Sequence, residues 1–235
     1  MSKSYGIGNA LIDIIAAPSK ALDEVRDRVS WLWVPLIIVM LLAIVSQVFF
    51  TLWVDHDWFV DQTIAAMMAG GGDPDMEPGI RQWMQPRTML ITAVVGVLFI
   101  IPLIHLIQAI YLHLVNKIVG NPDLRFGQWF ALSVWSAFPM IFQSLASFGI
   151  MALATDRRIT QEELQPLSLQ SLVIRAEPGS SWAAWGGAID VISFWIIGLL
   201  ALGIMRWTGA SALKAILIAA APYVLIFGIW ALVIS

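Results

Sequence analysis

The sequence predicts an all-α membrane protein, a five-transmembrane-helix bundle with an N-terminal amphipathic cytoplasmic helix. Three observations predict it. Five long apolar stretches run through the 235 residues, the chain is 59% hydrophobic, and only 12% of it is charged. Soluble domains carry about 25% charged residues. A helix rises about 1.5 Å per residue, so roughly 20 apolar residues cross a hydrocarbon core of about 30 Å.

The first 30 residues hold four acids and four bases, too many ahead of too long an apolar run for a cleaved secretory signal. They form an amphipathic prelude. Ile7, Leu11, Ile14 and Ile15 share one helical face, Pro18 interrupts, and Ser19 can cap a second short helix carrying Leu22, Val25 and Val29 on one side. The prelude is expected on the cytoplasmic interface. There its apolar side either packs against the protein's own bundle or docks a partner, with Leu22, Val25 and Val29 as the docking candidates.

The spans are expected at about 31–54, 88–115, 128–154, 186–205 and 213–234, giving a prelude of 1–30 and a membrane domain of 31–235. The first loop, Asp55–Arg87, is acidic. It contains a short amphipathic helix around Phe59–Met68 and a strong breaker at Gly70-Gly71-Gly72-Asp73-Pro74. Asp55-His56-Asp57 and Asp73-Pro74-Asp75-Met76-Glu77 offer metal-like oxygen ligands but not the spacing of a calcium loop, so a solvated loop is expected and no metal is assigned. In the second long loop, Thr160-Gln161-Glu162-Glu163 resembles a capping box opening a short helix. Gln165–Ile174 alternates partly, as a paired strand or an interfacial segment would.

Lysines and arginines fix the expected orientation. Eight fall on the side of the N-terminus, Lys3 among them, in short segments hugging the membrane, and five on the other side. The positive-inside rule then places the N-terminus in the cytoplasm and, after five crossings, the C-terminus on the outer side of the membrane. Trp31, Trp33, Trp53, Trp83, Trp129, Trp182, Trp185, Trp207 and Trp230 lie near span ends and read as interfacial anchors, with a Trp-lined substrate site as the alternative.

Polar residues inside apolar spans are the candidate sites, because they are costly there. Asp190 sits about one turn inside the fourth span, near its outer face, Gln47 and Gln143 lie in the first and third, and Arg87 starts the second. Asp190, Gln47 and Arg87 could form a cluster, either an interhelical clamp and helix start or a proton- or cation-linked site. Span two carries His105, Gln108, His113 and Asn116 within an arc of roughly 140°. That face should point into the bundle, for helix–helix hydrogen bonding or a hydrated crevice. Pro35, Pro102, Pro139 and Pro222 can each kink a span. Gly198, Ala201, Ala215 and Ala219 permit close helix contact.

With no cysteine, thiolate and disulfide chemistry are excluded. The net charge is −3 and no basic stripe exists, so nucleic acid is set aside. No nucleophile elbow, zinc-protease, phosphate-loop or dinucleotide motif occurs, so no enzyme activity and no cofactor are assigned.

Three stretches carry a family resemblance. They are Ala17-Pro18-Ser19-Lys20-Ala21-Leu22-Asp23-Glu24-Val25 running on to Trp31-Leu32-Trp33-Val34-Pro35-Leu36, then Arg125-Phe126-Gly127-Gln128-Trp129-Phe130 followed by Trp135-Ser136-Ala137-Phe138-Pro139, and Ile189-Asp190-Val191-Ile192-Ser193-Phe194-Trp195. On these the chain resembles bacterial members of the Yip1 family of small membrane proteins, over nearly its whole length. Asp190 and Trp195 keep the family spacing, whereas Ile192 replaces an aromatic. The resemblance implies the five-span fold. The vesicle-traffic role of eukaryotic relatives, which contact small GTPases, is not implied, because their Asp-Leu-Tyr-Gly-Pro signature is absent.

The expected function is therefore a non-catalytic accessory, scaffold or assembly factor of a membrane complex. The partners are the lipid bilayer and a protein partner or further copies of this chain. The alternative is a small transporter, channel or lipid-handling protein using the intramembrane Asp/Gln/His set.

Overall fold

The computed structural model describes residues 5–119 and 123–235. Lys3, counted above for orientation, lies outside them. Among the described residues eleven α-helices follow in order: α1 (Ile7–Ala16), α2 (Pro18–Asp27), α3 (Trp33–Trp53), α4 (His56–Ala69), α5 (Glu77–Trp83), α6 (Pro86–Val119), α7 (Phe126–Ser136), α8 (Ile141–Leu153), α9 (Ser181–Gly187), α10 (Val191–Thr208) and α11 (Ala212–Ile234). Among the described residues five helical segments are long and apolar enough to cross a membrane: Val29–Trp53, Pro86–Ile118, Phe126–Leu153, Val191–Thr208 and Ala212–Ile234. The protein is a multi-pass, all-α membrane protein with amphipathic helices at its N-terminal end.

Several local expectations are revised by the backbone. The fourth span starts at Val191, not Gly186, because Gly186 belongs to the separate helix α9. The third span is broken between α7 and α8 by a 3-10 turn at Phe138–Met140, where Pro139 lacks the donor a continuous helix needs. Pro35 sits in the first turn of α3 and Pro102 and Pro222 lie inside α6 and α11. Ser19 does not cap α2. Pro18 opens that helix at its first position, where a missing N–H costs nothing, and Ala17 precedes it. Thr160 and Glu163 do form the reciprocal capping hydrogen bonds, but they close a turn and not a helix. Within Gln165–Ile174 lie one antiparallel bridge, Ser168 to Asp190, and a π-helical turn at Gln170–Ile174.

The chain divides into two compact units. The first comprises Met1–Met40, Phe99–Met140 and Phe194–Leu225. In it the prelude is welded onto the spans. Ala10, Ile14, Ala21, Leu22 and Val25 are fully buried. The Trp207 indole donates to the carbonyl of Leu22 at 3.1 Å, and the Arg206 guanidinium holds both carboxylate oxygens of Asp23. Gln128 donates to the carbonyl of Arg26 at 3.1 Å. Gly203 lets α10 approach α7, since a Cβ there would lie 2.2 Å from the Leu132 side chain. Gly198, by contrast, faces open space. Ala201, Ala215 and Ala219 are buried. Trp129 and Trp207 are also buried, with ring centroids 6.0 Å apart, so these two indoles are core residues and not lipid anchors. Trp33 stays exposed.

The second unit comprises Leu41–Leu98, Ile141–Ser193 and Ile226–Ser235. Phe50, Val54, Phe59, Met151, Ile159 and Leu164 form its core. Here α4 lies over the ends of α3 and α8, with Phe50 and Phe59 edge to face at 5.2 Å. Asp55 caps α4 by accepting from the Trp58 amide and pairs with Arg158 at 3.2 Å. Trp83 and Trp182 are exposed, and the Trp185 indole donates to the carbonyl of Phe227 at 2.9 Å. Gly179, at a φ of +82°, sits so close to α4 that a Cβ would fall 2.0 Å from the Ala66 carbonyl oxygen.

Candidate functional site

In the second unit the non-helical stretch after α8 folds back along that helix. Ser147 donates to the carbonyl of Leu164 at 2.8 Å, and Gln143 reaches the same carbonyl at 3.5 Å. Ser147 and Gln143 lie about 9 and 15 Å back from the end of α8. Irregular backbone at membrane depth persists only where protein groups or a hydrated cavity satisfy it. These two side chains, one turn apart on one face, do so for Leu164.

The returning segment leaves a recess of about 210 Å³ against α3 and α8. Ser46 and Gln47 line it from α3, Gln143, Ser144 and Ser147 from α8, and Gln161, Gln165 and Asp190 from the loop. Asp190 is half-buried and caps α10, its Oδ1 accepting from the Ser193 amide at 2.6 Å and from the Ser193 hydroxyl at 2.7 Å. Leu167 and Ile189 carbonyls receive the amides of Val191 and Leu169, which pins the loop beside that cap. The recess thus brings together Gln47, Gln143 and Asp190. Arg87, exposed at the start of α6, does not line it.

A second polar group lies in the first unit. Ser133 donates to Gln108 Oε1 at 2.5 Å, and His105 Nδ1 stands 2.9 Å from the same hydroxyl. Since the hydroxyl has one proton and gives it to Gln108, it accepts from His105, which fixes the Nδ1–H tautomer. His105 and Ser133 are buried. This relay ties α6 to α7 and uses the His105 and Gln108 end of the sequence stripe. His113, one end of that stripe, meets the Phe126 ring edge-on at 5.9 Å, and its Nδ1 is buried without a partner.

The three docking candidates are placed inward. Leu22 and Val25 are fully buried in the chain's own bundle and present no free surface, and half-buried Val29 packs on Gly127. The prelude instead turns Ile12 outward, 66% exposed. Its two helices are joined by a triad in which the Asp13 carboxylate accepts from the Tyr5 hydroxyl at 2.9 Å and pairs with Lys20 at 2.8 Å. The Lys20 hydrogen bond, then that of Tyr5, holds the Asp13 carboxyl below the usual carboxylate range, while burial and Asp13 push the Tyr5 hydroxyl up.

In the acidic loop the carboxylates are engaged locally. Asp61 and Glu77 both pair with Arg81, and Asp73 accepts from the Asp75 amide. No three histidine, aspartate or glutamate side chains converge on a metal-binding point among the described residues.

The Yip1 domain profile matches residues 12–234. The chain belongs to the Yip1 family. No curated protein and no solved structure matches it. The match spans the prelude from Ile12 onward, both polar groups and all five spans of the Yip1 domain. Ser133, Ser147 and the Leu164 carbonyl escaped sequence reasoning. Ser147 had a usable signal, since it stands four residues after Gln143 and shares its face. Ser133 had none, being one small hydroxyl in an apolar run.

Proposed function

We propose that this Yip1-family protein is a non-catalytic accessory or assembly factor of a membrane complex. It resides in a bacterial inner membrane with its N-terminus cytoplasmic and its C-terminus periplasmic. In this reading residues 1–30 are a presentation layer and residues 31–235 the membrane domain that carries it. The observation behind the reading is the seating of α2 on α7 and α10 through Leu22, Asp23 and Arg26, which leaves α1 with exposed Ile12 as a fixed outward face. A rigid face of this kind suits recognition of a protein partner or a second copy better than a free amphipathic arm would.

The test is purification from native membranes in mild detergent, with wild type beside Ile12→Asp. A stoichiometric partner that is lost from the variant, with unchanged elution of the chain itself, supports the role. A partner retained in full by the variant, or a lone chain in both preparations, sinks it. The recess at Gln47, Gln143 and Asp190 favours a second reading, a small transporter or lipid-handling protein. That reading expects Asp190→Asn to abolish an ion- or lipid-dependent flux in reconstituted vesicles, and absence of any flux in the wild type removes it.

A further inference from the structure

We infer that the recess lined by Gln47, Gln143 and Asp190 binds a primary ammonium group, carried by a lipid headgroup or by a free amine. The inference stands on this cavity and goes beyond the accessory role, so its failure leaves the Ile12 experiment untouched.

Charge comes first. Asp190 and no lysine, arginine or histidine lines the recess, so its one full charge is negative. Hydrogen-bonding polarity agrees. The side-chain oxygens of Gln47, Gln161 and Gln165 on the wall can accept from a donor. Asp190 is held as an acceptor too, because the Ser193 amide and hydroxyl both donate to it. The recess therefore asks for a ligand that is positive and rich in N–H donors.

Size and lining narrow the class further. A bare calcium-like cation takes six to eight oxygens at about 2.3–2.6 Å, whereas here one carboxylate and dispersed amides surround about 210 Å³. Ala43, Phe50 and Leu164 complete the wall with apolar surface. A methylene-linked –NH3+ uses both kinds of wall, with three donors for the oxygens and a short apolar stem for the rest. A trimethylammonium group has the charge but no N–H to donate to the Asp190 carboxylate or the wall amides.

The test titrates the detergent-purified full chain with short-chain phosphatidylethanolamine, phosphatidylcholine and phosphatidylglycerol, and with ethanolamine alone, by calorimetry. Saturable binding of an amine-bearing probe is expected, at least tenfold tighter than phosphatidylcholine or phosphatidylglycerol. Binding of phosphatidylethanolamine alone assigns the lipid source, and equal binding of ethanolamine assigns the free amine. Asp190→Asn is the chosen variant because asparagine caps helices as well as aspartate does, so α10 keeps its start while the charge goes. It should weaken binding about tenfold or more. Gln47→Leu lines the recess from α3 without touching the cap, and should weaken binding also if Asp190→Asn does not fold. Equal affinity for the three lipids, no binding of either amine, or unchanged affinity in a folded variant overturns the inference.

Discussion

Ser147 and Leu164 form a hydrogen bond of 2.8 Å between the middle of a membrane-crossing helix and the carbonyl of a non-helical segment. The bond explains why a serine and a glutamine sit one turn apart on an otherwise apolar span. It also makes the loop's course dependent on α8, since Leu164 belongs to the second unit's core. Ser147→Ala should cost about 1–3 kcal/mol by leaving that carbonyl with only the long Gln143 contact of 3.5 Å. The readout is a lowered apparent Tm in detergent together with new protease cleavage between residues 155 and 175. A variant as resistant as wild type would show the loop to be held by its apolar contacts instead.

The relay from His105 through Ser133 to Gln108 makes a separate prediction in the first unit. Ser133→Ala leaves both neighbours without their shared partner and should destabilise the chain by about 0.6–2 kcal/mol, the range of interhelical hydrogen bonds in membranes. His105→Phe alone should cost a similar amount. The double variant should cost less than the two together, because both remove one interaction. Full additivity in chemical denaturation would deny the relay.

Gly203 and Leu132 predict a non-additive pair. A methyl at position 203 would meet the Leu132 side chain at 2.2 Å, and Leu132 is fully buried with little room to turn. Gly203→Ala should therefore cost about 1–3 kcal/mol through overpacking. Leu132→Ala alone should cost about 2–5 kcal/mol, and the double variant should cost less than the two together, because the added methyl then occupies space that Leu132 vacated. Apparent Tm values of the four proteins decide it. Gly198→Ala is the control, with open space around it and little change expected.

Acid should unlatch α1 from α2. Asp13 has its pKa lowered in the native state by Lys20 and Tyr5, so the unfolded state binds the proton first. Its contribution to holding α1 is complete above the ordinary carboxylate pKa of about 3.9. That contribution is lost as the pH falls below this and through the lowered native value. The chain has no cysteine, so spin labels at Asn9→Cys and Asp27→Cys report the spacing without interference. A sharp distance at neutral pH should broaden in the acid range, and Asp13→Asn should broaden it at neutral pH already. An acid-insensitive distance would leave the triad without a holding role.

Much of this architecture was legible from the chain alone, for physical reasons. Lipid demands unbroken apolar runs, so the five spans were visible, and Asp190 before Val191 carried the helix-start alternative that its bonds to Ser193 fit. Burial inside the bundle was not legible. Leu22 and Val25 would form the same stripe whether it faced a partner, a membrane surface or the chain's own α7. Trp129 and Trp207 lie at span ends, as lipid anchors do, and only tertiary contact distinguishes an indole in the core from one in the headgroups. The recess was half visible. Gln47, Gln143 and Asp190 stood out as polar residues, but the folding back of Leu164 that joins them leaves no mark in hydropathy.

The bond from Trp207 to Leu22 spans 185 residues of sequence, and that separation imposes an order on biosynthesis. At about 5–20 residues per second, some 10–40 s separate synthesis of the two ends. Until α10 is made and inserted, the N-terminal helices lack their final seat, and the apolar side of α2 must wait at the membrane surface or in the grip of a chaperone. Made 185 residues ahead of its partner, α2 is thus late to reach its native place. A truncation ending before residue 206 should leave that segment open to proteases, even though all of its own residues are present.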